Sequence, residues 1–242
     1  MIKFLRSISI YFIVLLLYSC SVQKFLPEDK TLYTGAELEF DNEGDDDIDK
    51  LESTLKAAID RSTNSKFLGM RPGLYFHFKA NRDNPGLINK FLNKQIGEDP
   101  YYFEDINLEL AEDVLKNRLQ NSGYFGSIVN SSVEKDSADQ STSVLYSIKL
   151  SKPYRLSSYQ VEQNDKDSLK IYRDIKSSLE SSLIDKNDLF NYDKMTTERK
   201  RIDDYLKKRG YYNFNSDFLI FEADTSAYDD HKFDLYLRLK TK

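Results

Sequence analysis

The alternation of apolar and polar positions along this chain predicts one run of elements twice. Ala36, Leu38 and Phe40 alternate with Glu37 and Glu39, the period of a half-buried strand. Ile48, Leu51, Leu55 and Ile59 then share one helical face. A second helical pattern covers residues from about 104 to 121, with Leu108, Ala111, Leu115 and Leu119 on one side. Residues 127–134 and 144–150 read as a hairpin, and Val144, Tyr146, Ile148 and Leu150 alternate with polar partners. Beyond Pro153 the order starts again. A strand pattern near 155–161 leads to a helix carrying Leu169, Tyr172, Ile175 and Leu179. A helix carrying Met195, Ile202 and Leu206 follows, then strands over 217–222 and 233–239.

The two runs align residue by residue at their centre. LAEDVLKNRLQNSGYFGSIV matches TTERKRIDDYLKKRGYYNFN, with Leu119 on Leu206, Gly123 on Gly210, Tyr124 on Tyr211 and Phe125 on Tyr212. Each glycine is placed to end a helix in the left-handed conformation that only glycine adopts cheaply. The aromatics that follow are expected in the core, so these six residues are read as structural helix-to-strand turns. The fold class is therefore α+β, as two tandem β-α-α-β-β modules. Each packs a helix pair on a three-stranded mixed sheet. The hairpin keeps strands two and three adjacent, strand one pairs beside strand three, and strand two is left at the edge.

The first module carries an insertion at about 62–100, where Gly69, Pro72, Gly73, Pro85, Gly86 and Pro100 interrupt the pattern. A short helix is expected over 87–95. Phe67, Leu68, Tyr75, Phe76 and Phe78 of the insertion are expected to pack onto the module; the alternative is that, exposed, they form a patch that touches a membrane or a partner. Residues 20–31 read as a polar tether. The expected organisation is thus a leader over 1–19, the tether, a first module over 32–152 and a second over 153–242.

Lys3 and Arg6 precede an apolar run from residue 10 to 17 that is too short to cross a bilayer and has the length of a signal-peptide core. Leu17-Tyr18-Ser19-Cys20 closes it and resembles a bacterial lipobox. The resemblance implies cleavage before Cys20 and an N-terminal lipid on that residue, the only cysteine of the chain. Ser21, rather than Asp, after the cysteine implies the outer membrane.

Composition narrows the function. With 40% hydrophobic residues the chain can build cores, and with net charge −5 it shows no basic stripe for nucleic acid. His77 and His231 are its only histidines. They form no zinc motif, and no nucleophile elbow, phosphate loop or dinucleotide fingerprint occurs. Asp45, Asp46, Asp47 and Asp49 lack the spacing of a calcium loop and suit a helix N-terminus instead. No enzyme activity, metal or cofactor is expected beyond the lipid.

The β-α-α-β-β order, with KNRLQNSGYF and DDYLKKRGYY at the helix-to-strand junctions, resembles the POTRA domain. The lipobox, the segment Lys24-Phe25-Leu26-Pro27-Glu28, the insertion FLGMRPGLYF and the ending FLIFEAD resemble TamL-type lipoproteins of the BamA/TamA superfamily of outer-membrane assembly factors. That resemblance implies modules facing the periplasm and assisting assembly or translocation of outer-membrane β-barrel proteins. The implied partners are unfolded outer-membrane clients, a TamB-like inner-membrane protein, and a β-barrel domain of the same or a separate chain. No barrel pattern occurs in these 242 residues, which points to a fragment of a larger barrel-bearing protein. The alternative is a stand-alone lipoprotein that binds a periplasmic partner or polysaccharide. The candidate client-binding edges are Ile128, Val129 and Val133 on one strand, and Phe218, Leu219 and Phe221 on the other. They would add an extended client by backbone hydrogen bonds.

Overall fold

The computed structural model describes residues 22–41, 48–162 and 170–240. The leader, Cys20 and the acidic turn at 42–47 lie outside them. Strand β1 (Leu32–Phe40) leads to helix α1 (Ile48–Ile59). Helices α2 (Pro72–Ala80) and α3 (Leu87–Ile96) stand in the insertion, followed by α4 (Leu108–Asn121) and the strands β2 (Ile128–Asp136) and β3 (Ser141–Lys149). The second run is β4 (Arg155–Val161), α5 (Lys170–Ser178), α6 (Tyr192–Lys208), β5 (Leu219–Asp224) and β6 (Lys232–Leu239). The two mixed three-stranded sheets have the orders β1-β3-β2 and β4-β6-β5, with strand one beside strand three in each. In the second sheet β4 runs parallel to β6 and β5 antiparallel to it.

The alternations fall on buried faces. Val144, Tyr146 and Ile148 of β3 are buried, as are Leu51, Leu55 and Ile59 of α1 and Leu115 and Leu119 of α4. Chain contacts form two compact units, one of Met1–Glu39, Lys56–Asp113 and Asn130–Ser147, the other of Phe40–Leu55, Val114–Val129 and Ile148–Lys242. Residues on either side of Pro153 meet the turn after α4: the Tyr154 N–H donates to the Gly123 carbonyl (3.1 Å) and the Gly126 N–H to the Ser151 hydroxyl (3.1 Å). The unit that includes 148–242 holds two clusters. Ile175, Ile202, Leu206, Phe214, Leu219 and Leu237 form one, and Leu156, Ile184, Met195, Phe233 and Leu235 the other.

The other unit corrects two expectations. Residues 22–26 are not a free tether: Val22 and Leu26 are buried with Leu32 and Leu74, and Phe25, Tyr75, Phe78 and Tyr102 pack around them. The insertion is helical from Pro72, and its apolar residues are not all folded inward. Phe67 and Leu68 are exposed, as are Leu87, Ile88 and Phe91 of α3. The ends of the insertion are closed by Asn64, whose Nδ2 donates to the Asp99 carbonyl (2.8 Å) while its Oδ1 accepts from the Tyr101 N–H (3.0 Å).

Candidate functional site

A sheet edge can receive an added strand only if its outward backbone groups are unpaired. Each of the four rims is closed at some positions. On β1, the Tyr33 N–H donates to the Tyr101 carbonyl (2.8 Å) and the Phe103 N–H to the Thr31 carbonyl (2.9 Å). On β4, the Leu156 N–H donates to the Asp188 carbonyl (2.8 Å), and the Asn187 N–H returns a bond to Leu156 (2.9 Å). In both sheets the closing segment is the one before the longer helix, so the arrangement is itself repeated. On β2, Glu112 takes the Ser131 N–H (3.0 Å) and the Ser131 hydroxyl (2.7 Å).

The β5 rim differs. The Lys240 N–H donates to the Phe218 carbonyl at 2.7 Å. In an antiparallel pair the ladder bonds alternate, so the pairs Ile220–Arg238 and Glu222–Tyr236 exchange bonds, and Leu219, Phe221 and Ala223 direct their backbone outward. The Leu219 N–H turns back to the Ser216 carbonyl. The N–H groups of Phe221 and Ala223 have no partner among the described residues.

Two hollows flank this rim. A groove of about 360 Å³ runs between Met195, Thr196 and Arg199 of α6 and Leu219, Phe221 and Ala223 of β5. At the far end of β5 a second hollow of about 410 Å³ is lined by Phe125, Tyr154, Phe190 and Phe233, with Ala223 and Thr225 at its margin. Its rings are fixed by one another. Phe125 meets Phe190 at 4.9 Å between centroids and Tyr154 at 5.6 Å, and Phe190 meets Phe233 at 5.6 Å. The rim's end is acidic, because the Ser226 N–H (2.8 Å) and hydroxyl hold the Asp224 carboxyl below its ordinary range. The site therefore offers backbone bonds to any extended chain and an apolar receptacle for a large side chain near one end.

The expected edge residues are placed unevenly. Ile128 is 52% exposed and Val133 is exposed, whereas Val129 and Leu219 are buried. Phe218 lies in a 3-10 turn (Ser216–Phe218) rather than in β5, and Phe221 leans on Tyr159 at 5.8 Å. Ala223, Tyr154, Phe190 and Met195 were not among the sequence candidates. Only Ala223 left a signal there, as the small residue that ends the apolar alternation of Leu219 and Phe221.

The repeated turns are the same device. Each glycine has a positive φ, +93° at Gly123 and +97° at Gly210. The Tyr124 N–H reaches back to the Leu119 carbonyl (2.9 Å) and the Gly123 N–H to Gln120 (3.0 Å). Tyr211 and Gly210 do the same toward Leu206 and Lys207 (3.2 and 3.1 Å), so both are Schellman caps. The aromatics beyond them are not uniformly core. Tyr124 is buried and Tyr211 half-buried, but Phe125 is 42% and Tyr212 81% exposed.

Among the described residues no group of three or more His, Cys, Asp or Glu could hold a metal, and no helix is long and apolar enough to cross a membrane. No family model and no curated relative matches the chain. Among solved structures it is similar to POTRA domains 1–2 of the periplasmic domain of Omp85 from Anabaena, with TM-score 0.39 and 10% identity over 89% of this chain and 99% of that one. It is also similar to BamA from Haemophilus ducreyi lacking POTRA domains 1–3, with TM-score 0.37, 14% identity and 66% of this chain covered. The N-terminal domain of Omp85 from Thermosynechococcus elongatus gives TM-score 0.35 and 12% identity over 87% of this chain. The match spans only 28% of the BamA structure. Likenesses of this size carry no functional weight, and the β-α-α-β-β order rests on the chain's own strand order.

Proposed function

We propose that the chain is a periplasmic POTRA-type scaffold that takes extended, unfolded outer-membrane polypeptides onto the β5 rim, in the service of β-barrel assembly or translocation. The observation behind this reading is the unpaired Phe221 and Ala223 backbone beside two hollows. The finer assignment is a TamL-type lipoprotein, anchored to the outer membrane through a lipid on Cys20 and working with a TamB-like protein and a barrel domain. It rests on the sequence resemblance. It carries no catalytic role, since a scaffold of this kind works by presenting backbone.

The rim is tested in the full chain with an extended peptide from an outer-membrane barrel strand. Ala223→Pro removes one outward N–H while leaving the ladder to β6 intact, because proline is tolerated where the N–H faces solvent. The variant should unfold as the wild type does yet bind the peptide about tenfold more weakly, the worth of one or two hydrogen bonds. Unchanged affinity, or peptide-induced NMR shifts confined to α5 and α6, would remove the rim from the proposal. The anchor is tested separately: cells given a fatty-acid probe should label the wild type and not Cys20→Ala.

A further inference from the structure

We infer that the insertion is a foot that rests on an anionic lipid surface, with α3 and the turn Phe67–Met70 as its contact points. Three independent features meet there. The first is apolar exposure on a folded scaffold. Helix α3 is amphipathic, and Leu87, Ile88 and Phe91 lie on its outer side at 86%, 75% and 63% exposure. Its half-buried positions, Asn89, Leu92 and Asn93, lie on the opposite arc. A soluble helix normally turns its apolar arc inward, and a helix that turns it outward with lysines along one border has the design of an interfacial helix.

The turn repeats the pattern. The Phe67 and Met70 backbones exchange hydrogen bonds (2.8 and 2.9 Å), which closes a two-residue hairpin with Leu68 and Gly69 at its tip. Leu68 has φ +48° and is 75% exposed, so a strained backbone presents a large apolar side chain to the outside. The hairpin is braced from behind by Lys66 (3.1 Å) and the buried Arg71 (2.8 Å), both on the Asp139 carboxylate. These side chains are held out by structure and are not loose ends.

The second feature is charge. The protein is acidic overall, at −5, yet the insertion over 62–100 carries Lys66, Arg71, Lys79, Arg82, Lys90 and Lys94 against Asp83, Glu98 and Asp99, with Lys66 and Arg71 held on Asp139. Lys90 and Lys94 are exposed beside the apolar arc of α3. This pairing of an apolar face with basic flanks is complementary to anionic headgroups over acyl chains.

The third feature is position. Residues 22–26 are packed on α2, with the Phe25 ring 5.9 Å from Tyr75 and 5.8 Å from Phe78. Lys24, Lys79 and Arg82 lie around the same ring at 5.2, 5.8 and 4.5 Å. Residues 22–26 and α2 thus form one packed body that sets Lys24 beside Lys79 and Arg82.

The test reads residue contact with lipid, apart from anchoring. The full chain with Cys20→Ser, which removes the native thiol, receives a polarity-sensitive fluorophore at Phe91→Cys, at Leu68→Cys or, as a control, at Tyr212→Cys. Each is mixed with vesicles of phosphatidylethanolamine and phosphatidylglycerol. The expected result is a blue shift at positions 91 and 68, quenching there by bromine-labelled acyl chains, and no change at 212. Leu87→Asp with Phe91→Asp should lower the fraction cosedimenting with these vesicles about tenfold, while circular dichroism stays unchanged. A protein that sediments with vesicles while the probes at 91 and 68 keep their aqueous emission would overturn the foot. So would a blue shift that appears without lipid and grows with protein concentration, which would assign the surface to a second copy of the chain. Loss of fatty-acid labelling in Cys20→Ala is a separate readout, so the anchor and the foot can fail independently.

Discussion

Glu198→Ala should cost about 3 kcal/mol of stability, the lower end of what breaking a buried ion pair costs. Glu198 is fully buried on α6. Its carboxylate is held in a bidentate pair by Arg201, with Nε and Nη2 each at 2.7 Å, and also accepts the Leu183 N–H at 3.1 Å. The same guanidinium donates to the Ser178 carbonyl at the end of α5 (2.9 Å). One carboxylate thus joins the end of α5 to the middle of α6, and the alanine variant leaves a cation and a peptide N–H without their acceptor. The guanidinium is one-fifth exposed and recovers part of its solvation, which sets the estimate at the lower end. The site is dry enough to act on a neighbour: burial first, and then the Glu198 charge, push the Tyr159 phenol well above its ordinary range. Replacing both partners together, Glu198→Met with Arg201→Leu, should recover most of the loss, because no unpaired charge remains. Denaturant unfolding of the three chains decides. A single-variant loss below about 1 kcal/mol, the range of surface pairs, would mean that the pair contributes no more than an exposed one.

The pair also shows where the amino-acid sequence speaks and where it is silent. Val144, Tyr146 and Ile148, or Phe233, Leu235 and Leu237, announce themselves because one face of a sheet is buried and the side-chain period is two. The twin glycines announce themselves because positive φ admits few other residues. Helix α2 was hidden because PGLYFHFKA has apolar residues on all sides and opens with Pro and Gly, so no amphipathic period stands out. Residues 22–26 read as a tether since only Val22 and Leu26 are apolar on the buried side, a spacing of four within one turn of chain. The closing of rims by residues 101–103 and 187–190 has no side-chain signature, because the bonds are between backbones. Glu198 was invisible for the opposite reason. A glutamate in a helix reads as surface until its partners three residues on, and at the end of another helix, are known.

Gly123→Ala and Gly210→Ala should differ although the sequences align them, and the difference should separate a shared cap from a local contact. Both substitutions force a Cβ onto a positive-φ residue, which costs about 1–2 kcal/mol. At Gly210 nothing else lies within 4 Å of the added atom. At Gly123 the Cβ would meet the Phe190 carbonyl oxygen at 3.1 Å and the Phe190 Cβ at 3.2 Å. The Gly123 carbonyl also accepts the Tyr154 N–H at 3.1 Å, and the Phe190 N–H donates to Tyr154 at 2.8 Å, so Phe190 cannot recede without breaking a backbone bond. Gly123→Ala should therefore lose about 3 kcal/mol, close to twice the loss at Gly210, since overpacking adds to backbone strain. It should also disturb the receptacle at the end of β5, of which Phe190 is a wall, and shift the Phe125, Phe190 and Phe233 ring resonances, whereas Gly210→Ala leaves them in place. Equal losses in denaturant unfolding would show that strain alone sets the cost at both turns. A peptide affinity that falls with Gly123→Ala and holds with Gly210→Ala would tie the aromatic wall to binding by a route that does not alter the β5 backbone itself.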